Sequence, residues 1–216
     1  MPGEVRSRAH RLALASGALL LAVLVAAPLA RRWMARAASA PWLGQVPPFA
    51  LVDQRARAFS RADLAGKLWV ADFIFTSCQG ACPMLSTRMR ALQGWIAEAE
   101  RARGAGDLGV RLVSFSVDPE VDTPERLAAY AERWGADARL WTFVTGSLDE
   151  VTRVATSGMK APIGKPSRVG AARDMAHGER LVLVDRRAFV RGQFAPTPEG
   201  LADLERTLSL LLAETP

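Results

Sequence analysis

Residues Leu68–Thr76, "LWVADFIFT", form a nearly continuous apolar run of strand length. Such a run has no polar face to turn toward water, so it must be a central strand buried on both sides, in a sheet covered by helices. The chain's only two cysteines, Cys78 and Cys82, follow at once, and Pro83 comes directly after the second. Proline is at home in the first turn of a helix. From there Met84, Leu85, Met89, Leu92, Ile96 and Ala99 recur at helical spacing, which predicts a helix running to about Arg103.

The same alternation continues downstream. "GVRLVSFSVD", Gly109–Asp118, reads as a second buried strand, and "DTPERLAAYAERWG" as a helix capped by Asp122 or Thr123 and stopped at Gly135. "RLWTFVTG" is a third strand and "SLDEVTRVATSG" a further capped helix. "ERLVLVDRRAFVRGQF" predicts two strands joined by a tight turn around Arg186 and Arg187, and "TPEGLADLERTLSLLLAE" a closing helix. Before the first central strand, "FALVD" through "RAFSRADLAGK" reads as a short hairpin. The fold class is therefore α/β, a mixed central sheet flanked by helices. A cysteine pair that opens the helix after the first central strand is the arrangement of a thioredoxin-like fold.

Upstream lies "LALASGALLLAVLVAAPLA", Leu12–Ala30, an uncharged stretch long enough to span a hydrocarbon core as a helix. The expected organisation is a basic leader over 1–11, a transmembrane signal anchor over 12–30, a linker over 31–48 and a folded domain over 49–216. Cleavage near "ASA", Ala38–Ala40, is the competing reading of the leader. Either outcome places the domain on the extracytoplasmic side of the cell membrane. The anchor also accounts for the basic pI of about 10.3. Six arginines against one acid fall within residues 1–40, which leaves the rest of the chain near neutrality within the net charge of +6. No basic stripe interleaved with aromatics occurs there, which argues against nucleic acid as a partner.

Three readings compete for the cysteine pair. A permanent disulfide would close so small a loop that it would stabilise little. The start of a helix lowers a thiol's pKa, which favours nucleophilic attack and metal binding alike. Of the two histidines, His10 lies in the leader, so an imidazole ligand has to be His177, just before the strand that opens "ERLVLVD". In a thioredoxin-like fold that loop lies against the cysteine-bearing helix start, where oxidoreductases usually carry a proline; here the dipeptide is Ala176-His177. Two thiolates and one imidazole favour Cu(I), with Zn(II) and Cu(II) as alternatives. Met84 and Met175 are soft sulfur donors nearby in sequence, Met84 being assigned to the helix core stripe.

Four blocks carry a close resemblance to a known family: "GKLWVADFIFTSCQGACPMLSTRM", "VSFSVDPEVDTPERLAAYAERWG", "WTFVTG" with "DEVTRVA", and "HGERLVLVDRRAFVRGQF". The chain resembles the Sco/SenC family, membrane-tethered, thioredoxin-like proteins that take part in building cytochrome c oxidase. The resemblance implies copper as the metal, Cys78, Cys82 and His177 as its ligands, and oxidase subunit II as the partner. It implies either copper delivery to the partner or reduction of the partner's copper-site cysteines, with Cys78 and Cys82 as the catalytic pair. Departures are Ala176 where relatives commonly carry aspartate, "RDM" with Asp174 in place of an Asp-Tyr pair, and Gln79 in place of a proline. Asp118 and Asp122 of "SVDPEVD" could polarise the site or meet a basic partner; for Asp122 a helix N-cap is the plainer role. A peroxidase reading of "FIFTSC" lacks the groups that would activate peroxide.

Overall fold

The computed structural model describes residues 43–78, 80–104, 106–161, 163–164, 167–169, 172–174 and 179–214. The expected anchor at 12–30, Met175 and His177 lie outside these residues. Among the described residues, no helix is long and apolar enough to cross a membrane.

The apolar run becomes strand β3, Leu68–Ile74, buried at every position. It pairs in parallel with β4, Val110–Ser116, and β4 pairs in parallel with β5, Trp141–Thr145. On its other side β3 pairs antiparallel with β8, Leu181–Val184, which turns back into β9, Val190–Phe194. The predicted N-terminal hairpin, β1 (Ala50–Asp53) with β2 (Ala58–Ser60), adds to the far edge through β5. The seven-stranded order is β2-β1-β5-β4-β3-β8-β9. A separate hairpin, β6 (Ser167–Val169) with β7 (Ala172–Asp174), precedes β8 and has no apolar run to announce it in the sequence.

Helix α1, Ala81–Ala102, follows β3, and α2, Pro124–Arg133, follows β4. Both connect neighbouring parallel strands in the same direction, so the right-handed crossover rule places them on one face. A hydrogen bond of 2.8 Å between Ser86 on α1 and Tyr130 on α2 joins them there. The closing helix α4, Pro198–Ala213, packs beside α1 and on β9. Under these helices the sheet carries Trp141 stacked on Phe143, with Tyr130 edge-on to Phe143. Alternation along the strands turns Trp69, Phe73 and Phe115 to the opposite face, where Phe49 meets Phe115 edge-on and Phe59 stacks on Phe49.

That second face is closed by the chain on either side of the domain's start. Leu43–Val46, within the stretch expected to be linker, is tied to the end of the β8–β9 turn and the first residue of β9: Leu43 and Val46 donate to the carbonyls of Val190 and Ala188, and Val46 is fully buried. Helix α3, Leu148–Arg153, is capped by Ser147 as expected, but its continuation Val154–Gly158 widens into a π-type turn. Gly158 lies under the incoming segment so closely that a Cβ there would sit 2.6 Å from Pro47 Cδ and 3.1 Å from Val46 Cα. A hydrogen at that position lets two backbones touch, and this is why the turn ends in glycine.

The β8–β9 turn forms where predicted, closed by Ala188 N–H donating to Asp185 C=O at 2.9 Å. Ala188, rather than either arginine, takes the left-handed conformation, with φ of 64°. A Cβ is strained there. Ala188→Gly is therefore expected to raise stability by roughly 0.5–1 kcal/mol, readable as a higher midpoint in urea unfolding.

Candidate functional site

The cysteines sit where β3 leaves the sheet. Phe75–Cys78 is a turn, closed by Cys78 N–H donating to Phe75 C=O at 3.1 Å, and α1 begins three residues beyond Cys78. Both cysteines are unbridged; Cys78 is half-buried and Cys82 fully buried. Because Cys78 lies in the turn and Cys82 in the first turn of α1, the thiols are neighbours without being stacked on a helix face. They are close enough to share a hydrogen bond.

Burial is the largest influence on Cys82 and pushes its pKa strongly up; the hydrogen bond to Cys78 and the nearby charges of Cys78 and Asp72 push the same way. The lowering expected from the helix start is outweighed, since desolvation penalises the thiolate more than a helix end favours it. The two thiols are thus unequal, one reachable and one held back as a protonated group.

Beneath Cys82 lies a buried polar cluster that sequence reasoning did not pick out. Asp72, in the middle of β3, is fully buried, and neither carboxylate oxygen has a hydrogen-bond partner among the described residues. Burial raises its pKa from 3.8 to about 7, opposed in part by the nearby hydroxyl of Ser114, the residue opposite it on β4. Ser114 itself accepts a hydrogen bond of 2.9 Å from Trp141 Nε1. Tyr130, bonded to Ser86, is pushed up to about 12, again chiefly by burial. The one available signal was the aspartate inside an otherwise apolar strand, since a buried acid without a partner is costly unless it can stay neutral.

The loop after β4 flanks the turn. Thr123, not Asp122, caps α2, accepting from Arg126 N–H. Asp122 is fully buried, and both of its oxygens face the cysteine turn: it accepts from Thr76 N–H at 3.1 and 3.2 Å, from Thr76 Oγ1 at 2.5 Å and from Ser116 Oγ at 2.6 Å. Its expected role as an N-cap is replaced by a tie between two loops. Asp118 is also buried, with its carbonyl accepting from Val121 and Asp122 N–H. Met84 departs from the core stripe and is exposed, 39% accessible, because two residues past Cys82 a helix has turned to its outer side.

A sequence model of the SCO1/SenC family matches residues 43–209, the sheet and nearly all its helices. The chain belongs to the SCO1/SenC family. A SCO1 protein homolog of Bacillus subtilis is 37% identical over 123 residues, 56% of this chain and 60% of that protein's length, so the match spans less than two thirds of the relative. A SCO1/SenC family lipoprotein from Bacillus anthracis superposes with a TM-score of 0.69 at 32% identity, covering 79% of this chain and 97% of its own. BsSco, a member of the Sco family of cytochrome c oxidase assembly proteins solved in work identifying a disulfide switch, gives 0.64 at 29% identity, over 81% and 98% of the two chains. The copper-bound ScoI of Bradyrhizobium japonicum shares the fold at a TM-score of 0.62 and 24% identity, over 76% and 99%.

For this SCO1/SenC member, the geometry brings together Cys78 and Cys82 of the three residues chosen from sequence. Among the described residues, no group of three or more His, Cys, Asp or Glu side chains is arranged to hold a metal. The antiparallel pairing of β8 with β3 does start β8, at Leu181, at the end of the sheet where β3 delivers its turn.

Two outcomes follow from the unequal thiols and the buried acid. In the reduced, metal-free domain at pH 8, iodoacetamide is expected to label Cys78 at least about tenfold faster than Cys82, as read by a peptide mass time course. Asp72 has a folded pKa above its unfolded one, so its contribution is least unfavourable below about pH 4 and stability falls as pH rises toward 7. Asp72→Asn should abolish that fall, with a gain on the order of 4 kcal/mol at pH 8 over pH 4, measured by urea unfolding at each pH.

Proposed function

We propose that this protein is a membrane-anchored copper chaperone that binds copper through Cys78, Cys82 and His177 and serves assembly of the copper centre of cytochrome c oxidase. The observation that carries this reading is the unbridged pair at the end of β3, a turn-borne and a helix-borne sulfur side by side. Two adjacent thiols suit a soft ion, and the copper-bound ScoI supports the choice of copper within this fold. His177 is four residues before Leu181, a reach of at most about 14 Å, from the same end of the sheet. Copper is cargo here. Each thiol gives up its proton on binding, and the partner's cysteines take the ion by replacing these ligands one at a time.

The partner in this reading is oxidase subunit II, consistent with BsSco being a member of an oxidase-assembly family. Leu12–Ala30 would serve as the anchor, with the domain on the extracytoplasmic face; the Bacillus anthracis relative is a lipoprotein, another mode of membrane attachment. The reduced domain, residues 41–216, is expected to bind about one equivalent of Cu(I), weakened more than about tenfold in His177→Ala, in a competition titration against a Cu(I) chelator. Absence of stoichiometric binding by the unaltered domain would remove the chaperone reading.

A second reading rests on the inequality of the thiols. Cys78 as thiolate would attack a partner disulfide, and Cys82, losing its proton late, would attack Cys78 Sγ and release the partner as a dithiol. The two electrons come from this pair, which ends as a disulfide. Single-turnover reduction of a model disulfide should survive His177→Ala and vanish in Cys78→Ser.

A further inference from the structure

The turn that carries Cys78 is anchored at one residue. Thr76 stands directly after Phe75, whose carbonyl closes the turn, and two residues before Cys78. Both its N–H and its hydroxyl donate to Asp122, which is itself without solvent contact. Asp122 has little freedom of its own. Its N–H donates to Asp118 C=O at 2.9 Å, and the next residue caps α2. Its second oxygen takes the Ser116 hydroxyl from the last position of β4, opposite Ile74 at the last position of β3. The backbone is fixed just below this point by Val117 N–H donating to Ile74 C=O at 2.9 Å. One carboxylate therefore ties the end of β4, the start of α2 and the cysteine turn into a single unit.

We propose that Asp122 is a positioning residue for the cysteine pair: through Thr76 it holds the Cys78 turn in the arrangement that keeps the two sulfurs as free, adjacent thiols. This deepens the proposed function and rests on the pair being its working site. Cys82 is placed by α1 and the sheet beneath it, so the relation between the two sulfurs depends on where the turn puts Cys78. Hydrogen bonds to a buried carboxylate are short, directional and hard to replace with water, which suits a group that must hold a partly exposed turn in one geometry. Both cysteines are unbridged, and a disulfide draws its two sulfurs to about 2.05 Å, well inside the contact distance of free thiols, so the Cys78 side must close on Cys82 when the bond forms. The clamp opposes that closure.

The test measures the dithiol–disulfide equilibrium of the full chain in detergent against glutathione, with thermal unfolding recorded beside it. Asp122→Asn keeps the volume but cannot accept from both Thr76 and Ser116 on two charged oxygens, and should move the equilibrium toward the disulfide by about tenfold. Thr76→Val, which loses only the hydroxyl, should shift it the same way by less. Thr76→Ser should match the unaltered protein, and adding Thr76→Val to Asp122→Asn should shift the equilibrium further by less than Thr76→Val does alone. A purely structural role would lower the unfolding temperature while leaving the equilibrium alone, because oxidised and reduced forms would lose stability equally. A shift below threefold in both Asp122→Asn and Thr76→Val, or one toward the dithiol, overturns the proposal. If Asp122→Asn does not fold, Thr76→Val against Thr76→Ser decides it. No copper is involved, so a failed copper titration leaves this result standing and the two ideas fall separately.

Discussion

The parallel pairing of β3 with β4, in register from Leu68 opposite Val110 to Ile74 opposite Ser116, is the constraint on which the site depends. Two parallel strands end at the same edge of a sheet, so the chain segments leaving them must lie side by side. One of those segments carries Cys78, and the other carries Asp118, Asp122 and the start of α2. The same pairing sets Asp72 opposite Ser114 and, through the return helix α1, brings Cys82 down over them. A one-residue slip would turn Asp72 to the aromatic face with Phe49 and Phe59 and send Phe73 under the cysteines.

The site is divided between an exposed and a buried side. Above is a turn with a reachable thiol; below is a layer of Cys82, Ser86, Tyr130 and Asp72 in which every ionisable group is pushed toward its neutral form. Such a layer disfavours charge on the inner sulfur until something compensates for it. A bound cation or a disulfide bond would each do so, the one by its charge and the other by removing the thiolate. The two readings of the protein as carrier and as reductant thus share one physical basis and need not divide the residues between them.

Much of this was legible in the chain. The Leu68–Ile74 strand, the long helix after it, the closing helix and the β8–β9 turn all follow from periodicity and local chemistry, and all form as read. The misreadings have a common source, which is that side-chain direction depends on neighbours distant in sequence. Asp122 is a sound N-cap by type, yet Thr123 takes that place because the strand ends pull the carboxylate inward to Thr76 and Ser116. Met84 fits an apolar stripe by counting, but the stripe that faces the sheet runs through Cys82, Leu85, Ser86 and Met89. Leu43–Val46 lies in the expected linker, and its backbone bonds to Ala188 and Val190 are a tie between distant residues that no local pattern announces.

By itself, the sequence determined the α/β class, the chain order of the central-sheet strands and their helices, and the placing of both cysteines around the start of the helix after the first central strand. These depend on hydrophobic period and on caps, which act over a few residues. Tertiary structure alone decided which thiol is reachable, that the aspartate of the apolar strand lies beneath Cys82, and that Asp122 holds the Cys78 turn. Those properties depend on burial and on hydrogen bonds between residues as far apart as Thr76 and Asp122, and no local pattern encodes them.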